Sequence, residues 1–169
     1  LHLSLRRQRQ MCIRDRIMQM DSTDRRILII LQRHGRMSNE DVAEQVNLSA
    51  SACHRRIQRL EAEGYVKDYV ALLDPRKLQK PTTVFVEITL SGQADEILDS
   101  FEKAVARVPD VLECHLMAGS ADYLLKVVAD STEDYARIHR QSLARLPGVA
   151  QMQSLFALRT VFKTTALPL

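Results

Sequence analysis

The sequence has little of what defines several classes of protein. It has only three cysteines, Cys12, Cys53 and Cys114, which lie far apart and form no C-x-x-C pair. An odd and scattered set of thiols argues against a disulfide framework and against a zinc site, and it suits the reducing cytoplasm. No apolar run approaches the roughly 18 residues that a membrane-spanning helix needs. Residues 1–19 also lack the apolar core of a signal peptide.

Catalytic motifs are missing as well. The chain contains no P-loop, no G-x-G-x-x-G and no H-E-x-x-H, so the motifs predict neither a cofactor nor a metal site. One nucleophile set is conceivable, formed by Cys114 and His115 with Asp122. It is disfavoured because adjacent residues of a strand point to opposite faces of the sheet. We therefore expect a protein that is not an enzyme.

What the sequence does contain is an uneven distribution of charge. The formal net charge of +3 divides into +4 over residues 1–19, +2 over residues 20–80 and −3 over residues 81–169. A mildly basic part followed by an acidic part favours a nucleic-acid-binding region joined to something else. We interpret residues 1–19 as an extension ahead of a start at Met18 or Met20. A basic arm that follows phosphates is the alternative.

Residues 37–60 carry the strongest motif of the first half. A short helical pattern leads to Asn47, which can adopt the left-handed conformation of a sharp turn, and Ser49 then caps a second helix. Along that second helix an apolar residue recurs at i, i+4 and i+7, which predicts one buried stripe. The stripe is formed by Cys53, Ile57 and Leu60. This pattern predicts a helix-turn-helix whose second helix enters the major groove of DNA.

The opposite face of that helix is rich in groups that bind DNA. Serine hydroxyls and the helix N-terminus can bind phosphates, and histidine or arginine can reach bases. No acidic residue stands at i−4 to neutralise Arg55, Arg56 or Arg59. A solvated helix in a plain bundle is the alternative interpretation. The candidate DNA contacts are Ser38, Ser49, Ala50, Ser51, His54, Arg55, Arg56 and Arg59.

The second half of the chain repeats one strand–helix–strand pattern. The motifs V-P-D-V at 108–111 and L-P-G-V at 146–149 stand at equivalent points, 38 residues apart. Tandem βαβ units predict a ferredoxin-like βαββαβ fold. The fold class is therefore α+β, with an N-terminal (winged) helix-turn-helix and a C-terminal ferredoxin-like domain. Because both helices cover one face of the sheet, the other face needs cover, which a second subunit is expected to provide.

The predicted boundaries follow these patterns and the proline-containing breaks between them. The helix-turn-helix domain is expected over 21–72, with a small strand or wing over 65–73. A linker is expected over 73–81, the ferredoxin-like domain over 82–160 and a tail over 161–169. Within the ferredoxin-like domain, strands are predicted at 83–90, 111–117, 123–129 and 149–158, and helices at 93–107 and 132–146.

Taken in order, many stretches between residues 21 and 163 resemble the leucine-responsive regulator family, also called Lrp/AsnC or feast/famine. The similar stretches include 24–28, 35–38, 47–49, 53–57, 71–75, 84–88, 113–116, 122–126 and 146–149. The resemblance implies double-stranded DNA as a partner and a RAM-type domain that binds an amino acid as effector. It also implies homodimers that assemble into tetramers or octamers. The alternative is an amino-acid-sensing interaction module that regulates an enzyme and does not bind DNA.

The same resemblance implies an effector pocket at the turn of residues 119–123. From the residues alone this is a tight turn with an acid at its exit. The resemblance implies that Asp122 binds the α-ammonium group of an amino acid, while free backbone N–H groups bind its α-carboxylate. Members of the family often carry an acid and an aromatic residue where this chain has Ser120 and Ala121. The candidate effector contacts are Gly119, Ser120, Ala121, Asp122 and Tyr123, the ring of Tyr123 being otherwise expected in the core or an interface.

Overall fold

The computed structural model describes residues 20–169. The interpretation of residues 1–19 therefore lies outside the described residues. The described chain forms two compact units, one made of residues 20–71 with Lys163–Leu169 and one of Leu72–Phe162. Each unit has its own hydrophobic core. No helix formed by residues 20–169 combines the length and the apolar character needed to cross a bilayer.

The first unit is built from three helices, each of which begins at a side-chain cap. The carboxylate of Asp21 accepts from the backbone N–H of Asp24, the Ser38 hydroxyl from that of Asp41, and the Ser49 hydroxyl from that of Ala52. Such caps satisfy backbone donors that the first turn of a helix leaves unpaired. The helices are α1 (Ser22–Leu31), α2 (Asn39–Val46) and α3 (Ala50–Ala62).

The predicted buried stripe of α3 and the predicted turn before it are both confirmed. Cys53 and Leu60 are fully buried and Ile57 nearly so, against Ile27 of α1 and other apolar residues of the bundle. Asn47 sits between α2 and α3 at φ 57° and ψ 50°, a left-handed conformation that asparagine tolerates better than most residues. Burial of the stripe therefore fixes which face of α3 remains available to solvent.

The strand predicted over residues 65–73 is not formed, although the region follows the helix-turn-helix at the place of a wing. Helix α3 ends at Ala62, and Gly64 follows in a left-handed conformation at φ 78°. Residues 65–73 then run without the hydrogen bonds of a strand. Val70, Leu72 and Leu73 are well exposed. A strand needs a hydrogen-bonded neighbour, and the described residues supply none here, so the alternation of apolar residues was an insufficient signal.

The second unit confirms the predicted ferredoxin-like arrangement. Its sheet has the order β2-β3-β1-β4, and each neighbouring pair is antiparallel. The strands are β1 (Thr82–Leu90), β2 (Val111–Leu116), β3 (Tyr123–Ala129) and β4 (Val149–Phe156). The helices are α4 (Asp95–Val105) and α5 (Thr132–Gln141), and a short 3-10 turn, Leu143–Arg145, follows α5. The helix predicted over residues 132–146 therefore ends at Gln141, and Ser142 (φ −119°, ψ −63°) joins it to the 3-10 turn.

One face of the sheet forms the core of the second unit. Val84, Val86 and Ile88 alternate along β1 and are fully buried, as are the corresponding residues of β3. The rings of Phe101 on α4 and Tyr123 on β3 lie with their centroids 4.6 Å apart. Since side chains alternate along a strand, the intervening residues of β1 and β3 point to the face opposite the helices.

Candidate DNA-reading helix and effector turn

The solvent face of α3 carries the strip of polar residues that the sequence predicted. Ser51, Arg55 and Gln58 are exposed on it. At the start of the helix the Ser49 hydroxyl accepts from the backbone N–H of Ala52 at 3.3 Å and lies 3.3 Å from the Ser51 hydroxyl. The positive end of the helix dipole, two hydroxyls and the guanidinium of Arg55 therefore face the same solvent region, which suits a polyanion.

Arg56 and Arg59, which were also predicted to contact DNA, are engaged in ion pairs. A guanidinium nitrogen of Arg56 lies 2.8 Å from one carboxylate oxygen of Asp24, and one of Arg59 lies 2.5 Å from the other. Asp24 is only 1% exposed, and it is the one buried charged residue within residues 20–169. Its carboxylate therefore joins α1 to α3 through two charge-assisted hydrogen bonds.

Asp21 extends this cluster at the start of α1. Its carboxylate lies 2.7 Å from the same nitrogen of Arg56. The backbone N–H of Asp24 and then the guanidinium of Arg56 hold the pKa of Asp21 below its usual value. No acid stands at i−4 of Arg56 or Arg59, yet both have acidic partners. Asp21 and Asp24 come from α1, which a comparison within α3 does not examine, and Glu63, at i+4, lies 3.9 Å from Nε of Arg59.

Two other predicted contacts are tied to the start of α2. The Ser38 hydroxyl donates to the Asp41 carboxylate at 2.6 Å in addition to capping the helix. Nδ1 of His54 on α3 lies 2.9 Å from the side-chain amide nitrogen of Asn39, the first residue of α2. Asn39 was not among the predicted site residues, because nothing in the sequence shows that it stands beside His54.

Asp122 at the predicted effector turn is tied into its own domain. One carboxylate oxygen accepts from the backbone N–H of Leu90 at 2.7 Å and the other from the side-chain amide of Gln93 at 2.9 Å. Its own N–H donates to Ile88. The carboxylate thus fixes the start of β3 against the end of β1, and each oxygen keeps a lone pair for a further donor.

The rest of the turn is open. Within the described part of the chain, the backbone N–H groups of Gly119, Ser120 and Ala121 donate no hydrogen bond, and a Cβ added at Gly119 would meet nothing within 4 Å. Unpaired N–H groups in a turn form a concave site for an anion. Four of the five predicted effector residues, 119–122, therefore combine free donors with one carboxylate.

The fifth residue, Tyr123, has a different position. It is 1% exposed, and its hydroxyl donates to the Glu102 carboxylate at 2.7 Å. Burial, and then the neighbouring Glu102, raise the pKa of the Tyr123 hydroxyl well above its usual value. Tyr123 thus belongs to the core, as the alternative interpretation of its ring expected, and its hydroxyl already has a partner.

An open groove of about 380 Å³ lies between α4 and β2. Glu102, Cys114 and Tyr123 line it, while residues 119–122 do not.

Cys114 pairs with Leu125 and His115 with Leu124 in the sheet register, so Cys114 and His115 point to opposite faces, as predicted. Desolvation in the groove, and then the charge of Glu102, raise the pKa of the Cys114 thiol. Residues 20–169 hold no group of three or more side chains arranged to bind a metal ion.

A helix-turn-helix joined to a ferredoxin-like domain defines a class of protein: DNA-binding regulators with a separate ligand domain. Residues 20–67 match the family described as winged helix-turn-helix DNA-binding, and residues 83–167 match the Lrp/AsnC ligand binding domain. The leucine-responsive regulatory protein of Escherichia coli K12 is 38% identical over 148 residues, which cover 88% of this chain and 90% of the relative. The one from Klebsiella pneumoniae has the same identity and coverage.

Solved structures agree with these relatives. An AsnC family transcriptional regulator from Agrobacterium tumefaciens superposes with a TM-score of 0.85 at 38% identity, covering 88% of this chain and 97% of the other. A transcriptional regulator from Neisseria meningitidis, in complex with L-Met, gives 0.84 at 34% identity, with coverage of 88% and 96%. The chain belongs to the Lrp/AsnC family of transcription regulators.

Proposed function

We propose that the chain reads DNA through the exposed strip of α3 and that an amino acid bound at the 119–123 turn regulates this reading. The observation that carries the first half is the division of polar side chains on α3. Ser51, Arg55 and Gln58 are exposed, whereas Arg56 and Arg59 are paired with acids of α1. A helix that is buried on one face and held on a second presents a third face to a major groove.

Within this proposal the arginines of α3 have two roles. Arg55 is exposed and forms no ion pair with any residue between 20 and 169, so its charge is available to a phosphate or a base. Arg56 and Arg59 keep about a third of their side chains exposed and chiefly fix the orientation of the helix. Ser38, Ser49 and Ala50 lie at helix starts, where backbone N–H groups bind phosphates.

Salt-dependent DNA binding tests these roles. The probe is a duplex enriched from a random-sequence library, and binding is followed by fluorescence anisotropy over a series of potassium chloride concentrations. Arg55→Ala should weaken binding and reduce the slope of log affinity against log salt by about one unit. Arg33→Ala, an exposed arginine outside α3, is the matched control and should leave the slope nearly unchanged.

If Arg55→Ala and the control give the same affinity and slope, the assignment of α3 as the reader is wrong. If the wild-type chain enriches no duplex at all, the alternative gains support: an amino-acid-sensing module that regulates an enzyme through protein contacts. These two outcomes are distinct, because the second is seen before any variant is made.

The effector half of the proposal rests on the 119–123 turn. The Asp122 carboxylate has lone pairs left for an ammonium group, and the N–H groups of residues 119–121 have no acceptor among residues 20–169. An α-amino acid carries an ammonium group and a carboxylate on the same carbon atom, so one molecule could bind both Asp122 and the free N–H groups. The relative from Neisseria meningitidis, 34% identical, was solved as an L-Met complex, which supports an amino acid as the class of ligand.

A thermal-shift screen of the standard amino acids, with L-methionine first, tests this site. Asp122→Asn keeps the shape of the side chain but removes its charge, so any ligand-induced shift should disappear. Gln93→Ala removes only a donor to the same carboxylate and should keep the shift. If Asp122→Asn responds like the wild type, Asp122 does not bind the ammonium group.

We further propose that the chain is a cytoplasmic homo-oligomer in which dimers associate into tetramers or octamers. Phe85 and Leu155 face each other in the register of β1 and β4, on the face away from the helices, and are 36% and 41% exposed. Copies of the chain could cover this face and would present several copies of α3 to one DNA molecule, which raises the overall affinity without new contacts. Light scattering after size-exclusion chromatography, with and without the amino acid, tests this assembly.

A further inference from the structure

His54 is attached to α2 by only one of its ring nitrogens. Nδ1 lies 2.9 Å from Nδ2 of Asn39, and both side chains belong to exposed residues. An amide NH₂ group can only donate, so Nδ1 must accept and carries no proton. The ring proton then lies on Nε2, for which residues 20–169 offer no acceptor. Asn39 therefore selects one tautomer and leaves a single outward N–H.

The location of this N–H matters because α3 enters the groove by its N-terminal part. His54 lies in the first half of α3, which begins at Ala50. In a helix-turn-helix the N-terminal residues of the second helix meet base edges, and the first helix of the motif crosses the backbone. Asn39 begins α2 and so connects the two elements that would contact the two parts of the duplex.

A lone donor in the major groove distinguishes the bases by their acceptors. Guanine offers two adjacent acceptors, N7 and O6, while cytosine offers a donor there. Adenine places a donor beside its N7, and thymine a methyl group beside its O4. One fixed N–H without an accompanying acceptor therefore matches guanine best.

We propose that His54 is a specificity-determining residue that donates from Nε2 to a guanine edge, with Asn39 as the positioning residue that fixes its tautomer. This inference rests on the proposed reading of DNA by α3. The ring is short and stiff compared with an arginine, so its contact depends on the docking of α3 and reads one position only.

The experiment compares the duplexes that each variant enriches from a random-sequence library. The wild-type chain should prefer guanine at one position of the half-site. His54→Ala should lose the preference at that position alone, while His54→Gln should keep it because the glutamine amide donor lies where Nε2 stands. Asn39→Ala should weaken the same preference. His34→Ala is the control, because it removes an exposed histidine outside α3.

A second measurement removes N7, one of the two acceptors of guanine, and leaves the donor of His54 in place. The wild-type chain is titrated with the enriched duplex and with a copy carrying 7-deazaguanine at the assigned position. The analogue should lower wild-type affinity by about fivefold, the loss of roughly one hydrogen bond, and leave the affinity of His54→Ala unchanged.

The proposal is overturned if His54→Ala enriches the same sequences as the wild type. It is also overturned if His54→Ala loses preference at every position, since the Asn39–His54 bond would then only support the packing of the helices. If the wild-type chain enriches no sequence, the proposed reading of DNA fails and this inference fails with it, a result distinct from the other two.

Discussion

Each unit of this chain uses one aspartate to join two of its elements, but the two carboxylates have different kinds of partner. In the helix-turn-helix unit, Asp24 is buried and its partners are two guanidinium groups from another helix. In the ferredoxin-like unit, Asp122 is partly buried and its partners are a backbone N–H and an amide. The partners of the first carboxylate are cationic, whereas the partners of the second are neutral. The difference teaches that Asp24 orients two helices through ion pairs, whereas Asp122 holds two strands together through neutral donors and has no cationic partner within residues 20–169.

The core of each unit shows the same contrast. The sheet unit buries Phe101, Tyr123 and Tyr135 beside its aliphatic strands. The hydrophobic core of the helical unit, as described, consists of aliphatic side chains, one alanine and one cysteine, with no aromatic ring. A unit with less apolar area to bury has less hydrophobic stabilisation, so its interhelical ion pairs make up a larger share of what holds it together.

The largest effect is expected from Phe101→Ala, which should sharpen this contrast. Removing a fully buried ring should destabilise the sheet unit by about 3–5 kcal/mol. Hydrogen exchange of the full chain should show loss of protection in β1 and β3 and retained protection in α1 and α3. Equal loss of protection in both units would mean that they do not fold as separate cores.

Asp24→Asn should have the next largest effect and should lower the free energy of unfolding of the helical unit by about 2 kcal/mol. Breaking a buried ion pair by removing one partner usually costs more, but Arg56 and Arg59 are about a third exposed and can turn toward water. The measurement is hydrogen exchange at α3 in the full chain. Asp21→Asn is the control, since Asp21 is exposed, and it should have a much smaller effect. Equal effects would contradict the distinct role of the buried carboxylate.

Much of the helical unit could be predicted because its signals are local. The turn at Asn47, the cap at Ser49 and the stripe on α3 depend on residues within a few positions of one another. The Asp24–Arg56 pair joins residues 32 positions apart, and helical periodicity does not say which neighbouring helix supplies an acid. The strand at residues 65–73 was wrongly predicted for a related reason, since alternation of apolar residues indicates an extended chain but does not supply a hydrogen-bonded neighbour for it.

In the sheet unit the order of elements was predictable because two similar motifs repeat. The surroundings of the turn were not. Leu90 and Gln93 reach Asp122 only because β1 lies beside β3 in the sheet. The sequence signals identified the residues that could bind a ligand, while the topology decides which of their hydrogen-bonding groups are already used.

A smaller effect is expected from Asp122→Ala. It removes the acceptor of the Leu90 N–H, and an unpaired, partly buried donor should cost the sheet unit about 1–2 kcal/mol. Urea unfolding, with hydrogen exchange at the Leu90 amide, measures it. Gln93→Ala leaves the Leu90 bond intact and should cost less. A larger loss from Gln93→Ala would mean that the carboxylate is not what holds the turn.

The smallest effect on stability is expected from Asp134→Asn, and it concerns how stability depends on pH. The backbone N–H of Asp130, and then the Arg137 guanidinium, lower the pKa of Asp134 to about 2 from 3.8. Because the folded-state pKa is depressed, this carboxylate stabilises the sheet unit above about pH 4, and its contribution is lost as the pH falls toward 2. Asp134→Asn should therefore flatten the dependence of the urea midpoint on pH in this window. An unchanged pH dependence would show that other carboxylates dominate acid unfolding.

The central position of β1 also has a consequence for how the chain folds. The first strand of the sheet to be synthesised pairs with β3 and with β4, and its register with β4 joins Val84 to Phe156. Pairing between residues so distant in the chain slows folding, whereas the three helices at residues 22–62 need only local contacts. During synthesis on a ribosome the helix-turn-helix can form before β4, the partner of β1, has been made. In refolding from urea we therefore expect a fast helical phase followed by a slower phase for the sheet, during which the apolar face of β1 is exposed and most prone to aggregation.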